Sequence, residues 1–172
     1  LRKRKYKDLI IYAKKLIEIN ESNHQYKYQL AYALELDNNF DDAIRYYEIY
    51  LDSKDSDKKK ALNNIGSIHL KKNKPKIALE FFLKSVKYGE DKIIINNILN
   101  CYIKLRDISN TDIFIKKAEK IDENYIEFIF NKAEHLILKN KINDAIKILE
   151  KNKDKPNFLL TLLRLYFNTG QN

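Results

Sequence analysis

Between Ala61 and Glu90 the apolar positions recur with helical periodicity in two runs broken by one polar stretch. Leu62, Ile65, Gly66 and His69 fall at i, i+3, i+4 and i+7, on one face of a first helix of about three turns. Lys71 to Lys74 interrupt that pattern. Pro75 suits the first turn of a second helix, where its missing N–H has no partner to lose, and Ala78, Phe82 and Val86 supply a second apolar stripe. Small residues such as Gly66 and Ala78, facing each other at mid-helix, let antiparallel helices approach closely, and Phe82 then fills the wider end. The stretch therefore predicts a helical hairpin.

A lone hairpin cannot bury its apolar face and needs stacked neighbours, so the same features should return at a fixed interval. Ala43 precedes Ala78 by 35 residues in the same context, FDDAIRYYEIYL against KIALEFFLKSV. Ala145 in INDAIKILEK lies 67 beyond Ala78, and Thr111 stands between them, 33 after one and 34 before the other. Leu30, Ile65, Ile98 and Lys132 keep the same step in the first helices. On Leu62, Ile65, Gly66, Ala78, Phe82 and the closing KSVKYGE, this segment resembles a tetratricopeptide repeat, the helix-turn-helix unit of about 34 residues. The resemblance implies an all-α fold, a right-handed α-solenoid of stacked antiparallel helix pairs.

In that register residues 1–23, KYKDLIIYAKKLIEINES at their centre, read as the second helix of a truncated repeat with Tyr6, Leu9, Ala13 and Leu16 as its stripe. Full repeats are expected at 24–58, 59–91, 92–125 and 126–155, and 156–172 as the first helix of a truncated fifth, all in a single continuous domain. Half repeats at both ends, and a first residue that is Leu rather than Met, read as a fragment of a larger protein of this family. Two repeats diverge. Leu99 and Thr111 replace the small pair Gly66 and Ala78, which predicts an opened or rotated contact and a kink in the third repeat. The fourth carries Lys132 and Asn152 at awkward places, and its second helix is expected to be a turn shorter.

Composition adds exclusions. The 172 residues are 44% hydrophobic and 33% charged, and no apolar run approaches the roughly 18 residues of a membrane span. Three glycines and two prolines suit long helices with short connectors. Cys101, the single cysteine, sits on an apolar helical face and reads as a small core residue. The net charge of +9 invites nucleic acid, but the lysines are spread over nearly every loop and exposed face, and a solvated surface explains them. The densest runs are Arg2 to Lys7 and Lys71 to Lys76. No phosphate loop, zinc-protease helix, paired cysteine motif or nucleophile elbow appears. His24, His69 and His135 stand one or two repeats apart, too dispersed for one metal site. No enzyme chemistry, cofactor or metal is expected, and the sequence assigns no compartment.

What remains is surface. The resemblance implies a concave face lined by first helices, which here carries Tyr28, Tyr32 and Glu35, then Asn63, Asn64 and Ser67, then Asn96, Asn97 and Asn100, then Phe130, Asn131 and Glu134, with Leu160 and Arg164 continuing it. The partner-binding residues expected are Tyr28, Tyr32, Asn63, Asn64, Ser67, Asn96, Asn97, Asn100, Phe130, Asn131 and Glu134. Asn64, Asn97 and Asn131, spaced 33 and 34, could form a ladder of amides that holds a peptide main chain, each able to donate and accept; asparagine is also common at this place for local packing. The basic clamp by which related domains grip a chaperone's C-terminal carboxylate is missing, since Tyr28, Tyr32, Ser67, Asn96 and Asn100 occupy its places. The function expected is a non-enzymatic protein-interaction scaffold for a protein or extended peptide. The alternatives are a basic RNA-binding module resembling pentatricopeptide repeats, or the substrate-recruiting part of a larger enzyme. Exposed Leu159, Leu162 and Leu163 would allow self-association through the uncapped ends.

Overall fold

The structure, a computed structural model, describes residues 2–170, with side chains from residue 5 onward. These residues form ten α-helices and no strand: α1 (Arg2–Ile19), α2 (His24–Leu36), α3 (Phe40–Leu51), α4 (Lys58–Lys71), α5 (Pro75–Val86), α6 (Lys92–Lys104), α7 (Ile108–Asp122), α8 (Ile126–Leu138), α9 (Ile142–Lys151) and α10 (Pro156–Thr169). The chain divides after Gly89 into two compact units. In the first, α1 packs on α2, α2 on α3, α3 on α4 and α4 on α5. In the second, α6 packs on α7 and α8, α8 on α9 and α9 on α10. The fold is an all-α arrangement of stacked antiparallel pairs.

The turn inside each pair is built the same way four times. Asn38, Asn73, Arg106 and Asn140 all adopt positive φ, at 63°, 54°, 56° and 58°. In each case the next amide returns to a carbonyl in the last turn of the preceding helix: Asn39 to Leu34, Lys74 to His69, Asp107 to Tyr102 and Lys141 to Leu136, at 2.8 to 3.0 Å. A left-handed residue just past a helix closes off its orphan carbonyls and reverses the chain. Asparagine tolerates that backbone, whereas arginine does so at a cost. Side-chain caps begin several of the helices. Asp57, Asp91 and Asp107 accept from the amides of Lys60, Ile94 and Asn110, an arrangement that also suits the positive end of the helix.

Each unit has its own apolar core. In the first, Leu30, Ala31, Ala43, Tyr47, Ala61, Ile65 and Ile68 are almost fully enclosed. The tightest contact joins α4 to α5. A Cβ added to Gly66 would sit 2.6 Å from Cε1 and 2.8 Å from Cδ1 of Phe82. The Phe82 ring thus keeps Gly66 small, and Ala78 is also fully buried. The stripe expected on α1 is corrected as well. Ala13 is buried with Ile10 and Ile17 packed beside it, and Leu9 remains 48% exposed, because the inward face is set by contact with α2.

The second unit is centred on Ala133, Ala145, Leu149, Phe158, Leu162 and Leu165. Leu162 therefore belongs to this core rather than to an exposed end face, while Leu159 and Leu163 are exposed. Leu99 and Thr111 are fully buried, and α6 and α7 run uninterrupted through them. Thr111 turns its hydroxyl back to the carbonyl of Asp107 at 2.6 Å, which lets a polar side chain sit in an apolar seam. Helix α9 has 10 residues against 12 in α3 and α5, a shortening of about half a turn rather than the full turn expected. Cys101 is buried, and that burial pushes its thiol up to about 12, the condition of an inert core residue.

Two stability measurements follow. Phe82→Ala is expected to cost about 3–5 kcal/mol and Gly66→Ala about 1–3 kcal/mol in urea unfolding, and the double variant should cost clearly less than the sum because the two share one contact. Arg106→Gly should instead stabilise the chain by about 0.5–1 kcal/mol by relieving the left-handed backbone; a loss of that size would show that the arginine side chain matters more than its backbone.

Candidate functional site

The first helices of the pairs in the second unit, α6 and α8, present polar positions to one side, and the first turn of α10 stands across from them. Asn96, Asn97 and Asn100 share one face of α6, and Ile126, Glu127, Phe130 and Asn131 share one face of α8. With Lys155, Pro156, Asn157 and Phe158 they line an open cleft of about 510 Å³. The floor is pinned by a buried amide pair. The Asn131 side chain donates to Oδ1 of Asn96 at 2.8 Å, and both residues are buried. One wall is aromatic, with the Phe130 and Phe158 rings edge-on at 5.1 Å. The lining holds one acid, Glu127, and one base, Lys155, so the cleft is close to neutral and rich in amides.

Five of the residues read from the sequence thus come together: Asn96, Asn97, Asn100, Phe130 and Asn131. Glu134 lies further along α8, where the Arg164 guanidinium is 3.6 Å from its carboxylate. Leu160 is exposed and outside the cleft. The contribution of α10 was missed: Pro156 marks its start in the sequence, but only its packing on α9 aims Asn157 and Phe158 at α8.

In the first unit Tyr28, Asn64 and Ser67 are tied into the protein itself. The Asn64 amide donates to the hydroxyls of Tyr28 and Tyr47 at 3.1 and 2.9 Å. The Tyr47 hydroxyl donates to Glu35 at 3.0 Å, and Lys71 closes the chain on the same carboxylate at 2.7 Å. Burial and then the Glu35 charge push the Tyr47 hydroxyl up. The Tyr28 ring packs against Tyr47 and Tyr50, with centroids 5.4 and 5.0 Å away. Tyr28 is therefore half-buried and structural, whereas Tyr32 is 49% exposed. Ser67 donates to the carbonyl of Asn63. The ladder expected of Asn64, Asn97 and Asn131 is changed accordingly, since the amide groups of Asn64 and Asn131 are engaged with neighbouring side chains.

The histidines are scattered. His69 stacks on Phe81 at 5.4 Å, and buried His135 contacts Asp112 at 2.7 Å through Nε2, with Lys139 on the same carboxylate at 3.0 Å. Lys139 and then His135 hold the Asp112 carboxyl below its ordinary value. Among the described residues no group of three His, Cys, Asp or Glu side chains is placed to hold a metal, and no described helix is long and apolar enough to cross a membrane.

Residues 59–90, the α4–α5 pair with the Gly66–Phe82 contact, match the tetratricopeptide repeat family. These residues form a tetratricopeptide repeat. The fold of the chain is shared with PilW, a widely conserved type IV pilus biogenesis factor, at a TM-score of 0.81 and 16% identity over 98% of this chain and 80% of that one. A tetratricopeptide repeat protein from Parabacteroides merdae gives 0.79 and 14%, over 98% and 75%. YrrB, a repeat protein described as having an unusual peptide-binding site, gives 0.67 and 18%, over 93% and 84%. No curated protein matches the chain in sequence.

Proposed function

We propose that this chain is a non-enzymatic interaction module, and that its cleft between α6, α8 and the start of α10 receives an extended peptide segment of a partner protein. The observation that carries the reading is the lining itself. Asn100 and Asn157 bring amides to the lining, with Asn97 beside them, and Phe130, Phe158, Ile126 and Pro156 offer an apolar wall. A peptide main chain needs both donors and acceptors, which a carboxamide supplies together, and one apolar side chain laid against the phenylalanine wall would provide the anchor. With one acid balancing one base, the cleft has no cationic track for a phosphate backbone. Nor does it have the lysines that would grip a terminal carboxylate, so a chaperone C-terminal pentapeptide is not expected to bind there. The likeness to YrrB, itself a protein with a peptide-binding site, points in the same direction.

Selection from a displayed random-peptide library tests the reading. Peptides retained by the wild-type chain should share an apolar anchor and should bind an Asn97→Ala, Asn100→Ala variant about tenfold or more weakly, a loss of about 1.4 kcal/mol, while the variant melts normally. Equal binding by the variant would remove the cleft from the function, and retention of RNA in place of peptides would favour the nucleic-acid alternative.

A further inference from the structure

A second concavity lies at the opposite kind of place, where three helix ends of the first unit meet. It measures about 300 Å³ and is lined by Leu51 at the end of α3, Lys58 and Leu62 on α4, and Lys84, Lys87 and Tyr88 at the end of α5. Two hydrogen bonds fix this corner. The Asp57 amide donates to the Tyr50 hydroxyl at 2.7 Å, joining the end of α3 to the start of α4. The Ser85 hydroxyl, fully buried, donates to the Lys59 carbonyl at 2.8 Å, joining the end of α5 to the same turn. The lysines are thus carried on a fixed frame, with leucines and the Tyr88 ring between them.

The electrostatics are one-sided. The lining includes three lysines and no carboxylate. The nearest capping acid, Asp57, is already paired with Lys60 at 2.9 Å. Elsewhere in this unit lysines find carboxylates, as Lys71 finds Glu35 and Lys72 finds Asp41. Among the described residues Lys58 and Lys87 show none, and Lys84 rests over the Phe81 ring at 5.2 Å. Like charges gathered around an apolar floor repel one another and are relieved by an incoming anion. We infer that this corner is a second docking site, separate from the amide cleft, for an acidic peptide segment whose aliphatic side chain enters between Leu51, Leu62 and Tyr88 while flanking carboxylates meet Lys58, Lys84 and Lys87. The aliphatic floor and the compact, three-cation rim fit one side chain with acids on either side, and they do not form the extended basic track with stacking platforms that a nucleic-acid strand follows.

The test titrates the isotope-labelled chain with a short peptide that has one central leucine, aspartates on both sides and blocked ends, so that no terminal carboxylate takes part. Saturable amide shifts are expected at Leu51, Leu62 and Tyr88. Binding should weaken about tenfold or more in a Lys58→Gln, Lys84→Gln, Lys87→Gln variant and also with rising salt. A variant that loses the same charge elsewhere, Lys7→Gln, Lys14→Gln, Lys15→Gln, should keep its affinity within about twofold, and a peptide with asparagines in place of the aspartates should not bind. Equal affinity in the two variants would overturn the proposal, as would shifts spread over all lysine-rich segments or tighter binding of single-stranded oligouridine at the same residues.

Discussion

Everything in the first unit rests on the Phe82 ring occupying the place where any side chain on Gly66 would have to stand, with the Cβ position 2.6 Å from the ring edge. That contact sets how closely α4 and α5 approach, and closeness determines which residues of each helix are enclosed. Interiors pack like solids, so one methyl group in the wrong place must be absorbed by moving a ring or a helix. The turn between the helices meets the same demand from the other side, because Asn73 in the left-handed region folds α5 back at once. Packing and turn chemistry agree, which is how a short segment specifies one hairpin.

Stacking one pair on the next is handled by polar groups at a repeated position. Asn64 reaches back to Tyr28, 36 residues earlier, and Asn131 reaches back to Asn96, 35 residues earlier. Inside a protein a satisfied amide bond of this kind fixes register, whereas an unsatisfied one is costly. In the first unit the network extends through Tyr47 to Glu35 and Lys71 and closes on itself. In the second, the Asn131–Asn96 pair stands beside Asn97, Asn100 and Asn157 in the lining of an open cleft. The same residue type in the same register thus serves structure in one unit and borders a cavity in the other.

Much of this was legible in the chain. The spacing of Ala43, Ala78 and Ala145 and the Leu62, Ile65, Gly66 stripe were enough to place helix pairs, because small residues at a fixed interval have few other uses in so glycine-poor a sequence. The details that were not legible depend on neighbours. Tyr28 reads as exposed from its helical phase, yet Tyr47 and Tyr50 enclose its ring. Leu9 reads as inward with Ala13, yet Ile10 and Ile17 pack beside Ala13 and Leu9 is exposed. Arg106 could not be recognised as a left-handed turn residue from its type, although Asn38, Asn73 and Asn140 stand at its spacing and, in retrospect, supplied the signal. Asn96, Asn97, Asn100, Phe130 and Asn131 of the cleft were found because they follow helical phase; Ile126 and Glu127 at the start of α8 were not, nor was the α10 wall, which depends on how α10 docks on α9.

The account stands on the amide cleft of the second unit. The most direct measurement is the side-chain carboxamide spectrum of the nitrogen-15-labelled chain with and without a saturating selected peptide. The account predicts that the signals of Asn97, Asn100 and Asn157 move together at one affinity while that of Asn64, held by Tyr28 and Tyr47, stays in place. Movement of Asn64 with the cleft signals unchanged would contradict it.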